Sequence, residues 1–326
     1  LQKGDVDFEG DCGGLGKCGK CKVKVLSSIG PPSAEGQELL EPEELKEGIR
    51  LACRTKIKKD LTIYIGEEDS EETYYQILKT GHRPLFYLDP LLEKQLVTLT
   101  LDAQNDGLAD FDKIKLAMGP NYDDLTAPLN CLRSLPNMLA KTHFHGAAVL
   151  HGKSMLAWQP WEEWGRRYGL VFDLGTSTLV GKLISLTDGN EVAAISRLNS
   201  QSKYGSNVIS RLQYVKENSR GLQRLNELLI KDLNRITKRL LQVGRLQPEE
   251  VFIGIAAGNT TMQHLLLSLD PRGIAQAPFN PVSTDGMIVQ AGDVGLEIHP
   301  EALLYVMPTR SGYIGGDLIS AVLASG

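Results

Sequence analysis

Four of the five cysteines of this 326-residue chain fall within its first 53 positions, as Cys12, Cys18, Cys21 and Cys53. Their spacing is C-x5-C-x2-C, and the fourth thiol follows after a further 31 residues. Thiols gathered in this way either form disulfides or ligate metal. Disulfide frameworks belong to small secreted chains with cysteines spread throughout, and nothing else in the sequence points to secretion. Metal ligation explains the clustering better. Zinc sites usually draw on two short knuckles, each supplying two corners of a tetrahedron, and only one C-x2-C pair is present here.

Three cysteines on one loop with a fourth far along the chain is how a [2Fe–2S] cluster is held, with a first gap one residue longer than the plant-type C-x4-C-x2-C. The loop from Cys12 to Cys21 includes Gly13, Gly14, Gly16 and Gly19, so its backbone can wrap closely and aim N–H groups at anionic sulfurs. It leads into an alternating strand over 22–25, and Cys53 lies just ahead of a second strand expected over 61–65. Structural zinc stays open as the alternative. Residues 1–66 resemble a β-grasp ferredoxin domain with adrenodoxin-like loop spacing. Such domains carry a hairpin and part of a helix before the first cysteine, whereas eleven residues precede Cys12, so the expectation is an N-terminally incomplete cluster domain.

A second constellation lies in the C-terminal half. An apolar strand over 169–172 runs into Asp173-Leu174-Gly175-Thr176-Ser177-Thr178. Gly175 would let backbone amides approach phosphate, the Thr176, Ser177 and Thr178 hydroxyls could donate to phosphate oxygens, and Asp173 could hold Mg²⁺ directly or through water. Alone, the same residues would also make a plain polar turn. Their surroundings give the turn its meaning. Strands over 179–186 and 192–198 follow, joined at Asp188-Gly189-Asn190, and apolar residues from Val208 to Leu240 then recur at three- and four-residue steps as far as Gly244. A buried strand over 251–257 precedes Gly258-Asn259-Thr260 and a helix bearing Met262, Leu265, Leu266 and Leu269. A strand over 302–307 and a small-residue helix from Gly315 close the pattern.

The order βββαβαβα is that of a ribonuclease-H-like lobe. With an Asp-Leu-Gly-Thr-Ser turn between its first two strands, it resembles the acetate kinase, sugar kinase, heat-shock protein 70 and actin superfamily at its phosphate-1 element. The resemblance implies bound ATP and Mg at Asp173, Gly175, Thr176, Ser177 and Thr178. The run from Ser311 to Asp317, together with Ala321, resembles the superfamily's connect-1 hinge. Asp317 then either faces the metal or serves as a helix N-terminal carboxylate.

Between the two constellations, residues 67–83 include Glu67, Glu68, Asp69, Glu71 and Glu72 and suit a hydrated acidic linker. Residues 84–165 suit a small middle α/β domain with a strand over 95–101, a helix over 108–118 and a hairpin over 147–158. Cys131 falls there and is expected to be a packed thiol. Three decoys are set aside. Gly14-x-Gly16-x-x-Gly19 lacks the flanking strand and helix of a dinucleotide site. Ala147-x4-Gly152-Lys153-Ser154 places a β-like run where a phosphate loop needs flexible backbone. His143 and His145 would share one strand face without a third ligand.

The whole chain therefore divides as 1–66, 67–83, 84–165 and 166–326, a mixed α/β and α+β multidomain protein. Its cysteine loop, acidic linker, middle domain and kinase-like lobe together resemble the reductive activators of corrinoid proteins. Tyr204-Gly205-Ser206-Asn207-Val208-Ile209-Ser210-Arg211 and Gly258-Asn259-Thr260-Thr261-Met262 also look like that family. The resemblance implies ATP-dependent electron transfer from a [2Fe–2S] cluster to a Co(II) corrinoid protein or corrinoid-dependent methyltransferase, with an unnamed electron donor and a homodimeric state. The superfamily places nucleotide between two lobes, so one lobe ending at Gly326 carries half an ATP site and weak or absent ATPase activity is expected of it. A ferredoxin-type carrier without ATP coupling, or a kinase acting on a small molecule, are the alternatives. Composition narrows the rest: 42% apolar and 23% charged residues with a mixed net charge of −5 give no positive field for nucleic acid. No apolar run is long enough for a membrane helix, so the expected setting is cytoplasmic.

Overall fold

The computed structural model describes residues 19, 21–27, 30–57, 60–64, 89–100 and 107–325. These fall into two compact units, one from the described residues up to 64 with 201–207, the other from the remainder. Cys12, Cys18 and the acidic stretch 67–83 lie outside the described residues.

In the first unit β1 (Lys22–Val25) is the central strand, flanked antiparallel by β2 (Ile49–Leu51) and β3 (Ile63–Tyr64). Period-two alternation turns Val23 and Val25 inward, 4% and 7% exposed, and Lys22 and Lys24 out. Helices α1 (Ala34–Leu39) and α2 (Pro42–Lys46) fill the connection from β1 to β2. Ser33 caps α1 by accepting from the Gly36 amide at 3.1 Å, and Pro42 opens α2 where no amide partner is needed. Of the strand expected over 61–65, only Ile63–Tyr64 pairs among the described residues.

The second unit opens with an antiparallel sheet ordered β4 (Glu93–Thr98), β5 (His145–His151), β6 (Ser154–Pro160). Helices α3 (Asp110–Met118) and α4 (Leu129–Lys141) cover it through Ile114, Leu135 and Leu139 against Leu150, Met155 and Trp158. α4 is absent from the sequence expectation because Pro136 stands inside it and Pro128 before it, residues that ordinarily mark helix ends. The 152–153 turn joins a hairpin, and Lys153 pairs with Asp124 at 2.9 Å. The two histidines do not share a strand face: His143 and Phe144 turn with φ of 50° and 60°, and only His145 enters β5, where it stacks on Trp161.

A six-stranded sheet follows, ordered β11 (Met287–Gln290), β12 (Leu303–Val306), β10 (Val251–Gly258), β7 (Tyr168–Leu174), β8 (Thr178–Ser185), β9 (Glu191–Leu198). β7, β8 and β9 form an antiparallel meander, while β10 runs parallel to β7 and β12 parallel to β10. This is the expected ribonuclease-H-like sheet with an added edge strand, β11, that the sequence reading missed. The long helical region is two helices, α5 (Val208–Glu217) and α6 (Gly221–Gly244), parted where the Asn218 side chain donates to the Tyr214 carbonyl at 2.9 Å. α6 lies on β8 and β9, and a side chain at Gly181 would collide with Ile236. After α7 (Thr260–Leu266), the last helix is α8 (Gly316–Ser325). Leu92, just before β4, and Val149, Leu156 and Ala157 of the smaller sheet pack with Phe252 and Ile253 of the larger.

Candidate functional site

Cys21 immediately precedes β1, and Cys53 sits in the 3-10 turn Ala52–Arg54 that follows β2. Lys22 is registered opposite Leu51, so the two cysteines are brought together across the sheet end although far apart in sequence. The Ala52 amide donates to the Cys21 carbonyl at 2.7 Å and closes that end. The Sγ atoms are 3.2 Å apart. Two sulfurs on one tetrahedral centre with metal–sulfur bonds of about 2.3 Å stand roughly 3.8 Å apart, so a small relaxation lets both thiolates bind a single ion. Cys21 is 5% exposed and packs with Leu40 and Leu51, which keep water from one side. Gly19 has a φ of +70°, a conformation that suits glycine and bends the loop just before Cys21. The donor set present fits an iron–sulfur group. Cys131 belongs to the second unit: it is buried in α4, and the pKa of its thiol is pushed up to about 12 by loss of water and by the nearby Glu301 carboxylate.

The second site forms where the C-terminal ends of β7 and β10 meet the start of α8. Asp173 is the penultimate residue of β7 and reaches solvent, while Gly175 to Ser177 make the turn into β8. A side chain at Gly175 would run into the Thr178 carbonyl oxygen. All three carbonyls of the turn are held from behind. Asn199 donates its side-chain Nδ2 to Gly175 O and its backbone N–H to Ser177 O, both at 2.9 Å, and Arg211 Nη2 donates to Thr176 O. A planar trans peptide sets each carbonyl opposite the next amide, so the N–H groups of Thr176, Ser177 and Thr178 face away from those buried donors. Burial lowers the Arg211 pKa to about 10, which leaves it a cation at neutral pH.

Asp317 lies in the first turn of α8 and accepts from the Leu318 amide at 2.8 Å, the helix-end role left open by the sequence. It is also near enough to Asp173 to act on it. The Asp173 carboxyl is raised above the ordinary carboxylate range, first by loss of surrounding water and then by repulsion from Asp317. Gly315 lets the start of α8 close on the end of β10, since a side chain there would strike the Asn259 backbone, Gly258 O and the Asp317 carboxylate. Among the described residues, no three His, Cys, Asp or Glu side chains gather as a metal-binding group.

Asp173, the turn and Asp317 stand out in the sequence as candidates, but the residues that fix them do not. Asn199 and Arg211 are fully buried, and Asn259 ties the Thr176 hydroxyl by donating its Nδ2 at 3.1 Å. Arg211 and Asn259 stood within stretches noted for family likeness but without a role. A cationic residue on an otherwise apolar helical stripe was the signal available for Arg211.

Three family profiles match along the chain: a 2Fe-2S iron-sulfur cluster binding domain over 1–58, a RACo linker region over 82–163 and a RACo middle region over 168–326. The corrinoid activation enzyme RamQ of Eubacterium limosum is 28% identical over 335 aligned positions, covering 96% of this chain and 49% of RamQ. A solved structure described as a reductive activator for corrinoid, iron-sulfur protein is 29% identical with a TM-score of 0.66, covering 100% of this chain and 54% of that one. A component of the Na(+)-translocating NADH-quinone reductase of Marinomonas sp. is 39% identical over 68 residues, 21% of this chain and 17% of that component. The chain thus spans about half the length of the two relatives that match it throughout, at 49% and 54%.

Proposed function

Because the chain belongs to the family of reductive activators of corrinoid proteins, we propose that it delivers single electrons from a [2Fe–2S] cluster to the Co(II) centre of a corrinoid protein or corrinoid-dependent methyltransferase, with ATP binding at the Gly175–Thr178 turn biasing the transfer. The observation that carries the reading is the convergence of the Cys21 and Cys53 sulfurs to 3.2 Å across the end of the β1–β2 pair. When bound, the cluster supplies a one-electron couple. Cys21 and Cys53 would hold one of its irons, leaving Cys12 and Cys18 for the other, and Leu40 and Leu51 would shield the Cys21 side from water.

Electrons of modest potential do not populate Co(I) unaided, because each 59 mV uphill costs about 1.4 kcal/mol for one electron. Nucleotide binding is the proposed source of that drive. The outward amides of Thr176, Ser177 and Thr178 would receive phosphate oxygens, with the exposed Ser177 hydroxyl beside them. Asp173 and Asp317 repel each other in the free protein, and a divalent cation between them would relieve that repulsion. Mg²⁺ commonly uses one or two carboxylates and takes its other ligands from phosphate and water, so this pair suffices. Lobe closure around nucleotide would then favour the complex in which cobalt accepts the electron.

The test follows Co(I) formation spectroscopically in a corrinoid protein supplied with a low-potential reductant and the full-length activator, with and without MgATP. A larger Co(I) yield with MgATP is expected. Equal yields would leave an uncoupled electron carrier, and no cobalt reduction in either case would remove the proposed function.

A further inference from the structure

Arg211 heads the largest side chains that are completely buried among the described residues. It projects from α5 between the turn and the first residues of α7. Its Nη2 donates to Thr176 O and its Nη1 to the Met262 sulfur at 3.0 Å. The Met262 amide donates to Asn259 Oδ1 at 3.0 Å, and Asn259 Nδ2 donates back to the Thr176 hydroxyl at 3.1 Å. Thr176, Arg211, Met262 and Asn259 thus close a ring that joins the turn to the N-terminus of α7. Asn199, already bonded to Gly175 O, comes within 4.0 Å of the same Met262 sulfur.

A core that needed only filling would place an apolar side chain here, since a buried guanidinium forfeits strong hydration. What arginine adds is a rigid planar fork, with one arm fixed relative to the other. With one arm anchored on α7 through Met262, the other sets the direction of the Thr176 carbonyl and, across the planar peptide, that of the Ser177 N–H. We infer that Arg211 is a positioning residue for phosphate, holding the turn with its amides outward, an assignment that rests on the nucleotide reading of the turn given above. It touches no ligand itself. Its loss should weaken binding in proportion to the phosphate contacts of a ligand and leave the nucleoside part unaffected, which a purely structural role would not do.

The experiment titrates the full-length protein with MgADP and with adenosine by calorimetry, for wild type, Arg211→Lys, Met262→Leu and Gly175→Val, with thermal unfolding of each. Arg211→Lys keeps the charge and removes the fork, and should weaken MgADP binding about tenfold while adenosine affinity stays within about twofold. Met262→Leu keeps the volume and removes the sulfur anchor, and should weaken MgADP about threefold with the same selectivity. If Arg211→Lys does not fold, Met262→Leu decides. MgADP affinity unchanged in the folded variants, or MgADP and adenosine affinities falling together, would overturn the inference alone. A wild type that does not bind MgADP, or a Gly175→Val protein that binds it as wild type does, would overturn the nucleotide reading and this inference with it.

Discussion

The two candidate sites are built on opposite terms. At the end of the β1–β2 pair the proposed chemistry rests on side-chain atoms, two sulfurs 3.2 Å apart whose meeting is fixed by strand register. At the end of β7 it resides in the direction of peptide groups, and the residues setting that direction, Asn199 and Arg211, are buried behind the turn. The first site should therefore fail by loss of a ligand atom. The second should fail by loss of support, even where every residue facing the ligand is intact.

The largest effect is expected at the sulfurs. Cys21→Ala or Cys53→Ala should abolish the visible absorption and iron content of anaerobically reconstituted protein, whereas Cys131→Ala, which alters a thiol packed in α4, should leave both unchanged. A coloured, iron-replete Cys53→Ala protein would break the contrast, because the site would then not depend on its reactive atoms.

A smaller effect, with a sign that separates function from stability, is expected at Asp173. Its folded pKa is raised by loss of surrounding water and by repulsion from Asp317, so the ionised carboxylate opposes folding and that penalty is relieved as pH falls through the folded value. Asp173→Asn should accordingly weaken MgADP binding by roughly tenfold, the weight of one charged interaction, while the thermal midpoint at pH 7 rises slightly. A variant that lost both binding and stability would place Asp173 among the supports rather than at the ligand.

The last effect touches neither site and concerns only the stability of the lobe's framework. His299 packs at a tilt against Phe252, and its Nδ1 accepts from the Glu301 amide at 3.0 Å; burial lowers its pKa from 6.5 to about 4. A depressed histidine leaves stability intact above the unfolded pKa and erodes it below, as the unfolded chain takes up the proton first. Denaturant unfolding should show a loss of roughly 3 kcal/mol between those two values. Trp158, Trp161 and Trp164, the three tryptophans of the chain, all lie in the second unit, so their fluorescence reports it without interference from the first. His299→Asn should flatten the dependence; an equally steep profile in that variant would assign the titration to other groups.

Much of this organisation was legible in the sequence because it is carried by local signals. Alternation gave β1 and the β7–β8–β9 meander, helical periodicity gave the α5–α6 region, and cysteine spacing gave the Cys21–Cys53 meeting. α4 escaped because an interior proline masks its period, and β11 because four residues at a sheet edge carry too short a pattern. The support of the turn escaped for a different reason. Asn199, Arg211 and Asn259 bond to residues 24, 35 and 83 positions away, and such pairings arise only once the sheet has formed. Polar residues at those positions are individually ordinary in sequence and acquire their meaning from tertiary placement.

The proposed function stands or falls on the N-terminal thiols holding paired irons able to carry one electron. Metal analysis together with visible and electron paramagnetic resonance spectra of the anaerobically purified wild-type protein, before and after reduction, tests it most directly. A coloured protein with two irons per cluster and a paramagnetic signal that appears on one-electron reduction is expected. A colourless protein holding stoichiometric zinc and giving no signal on reduction would contradict it.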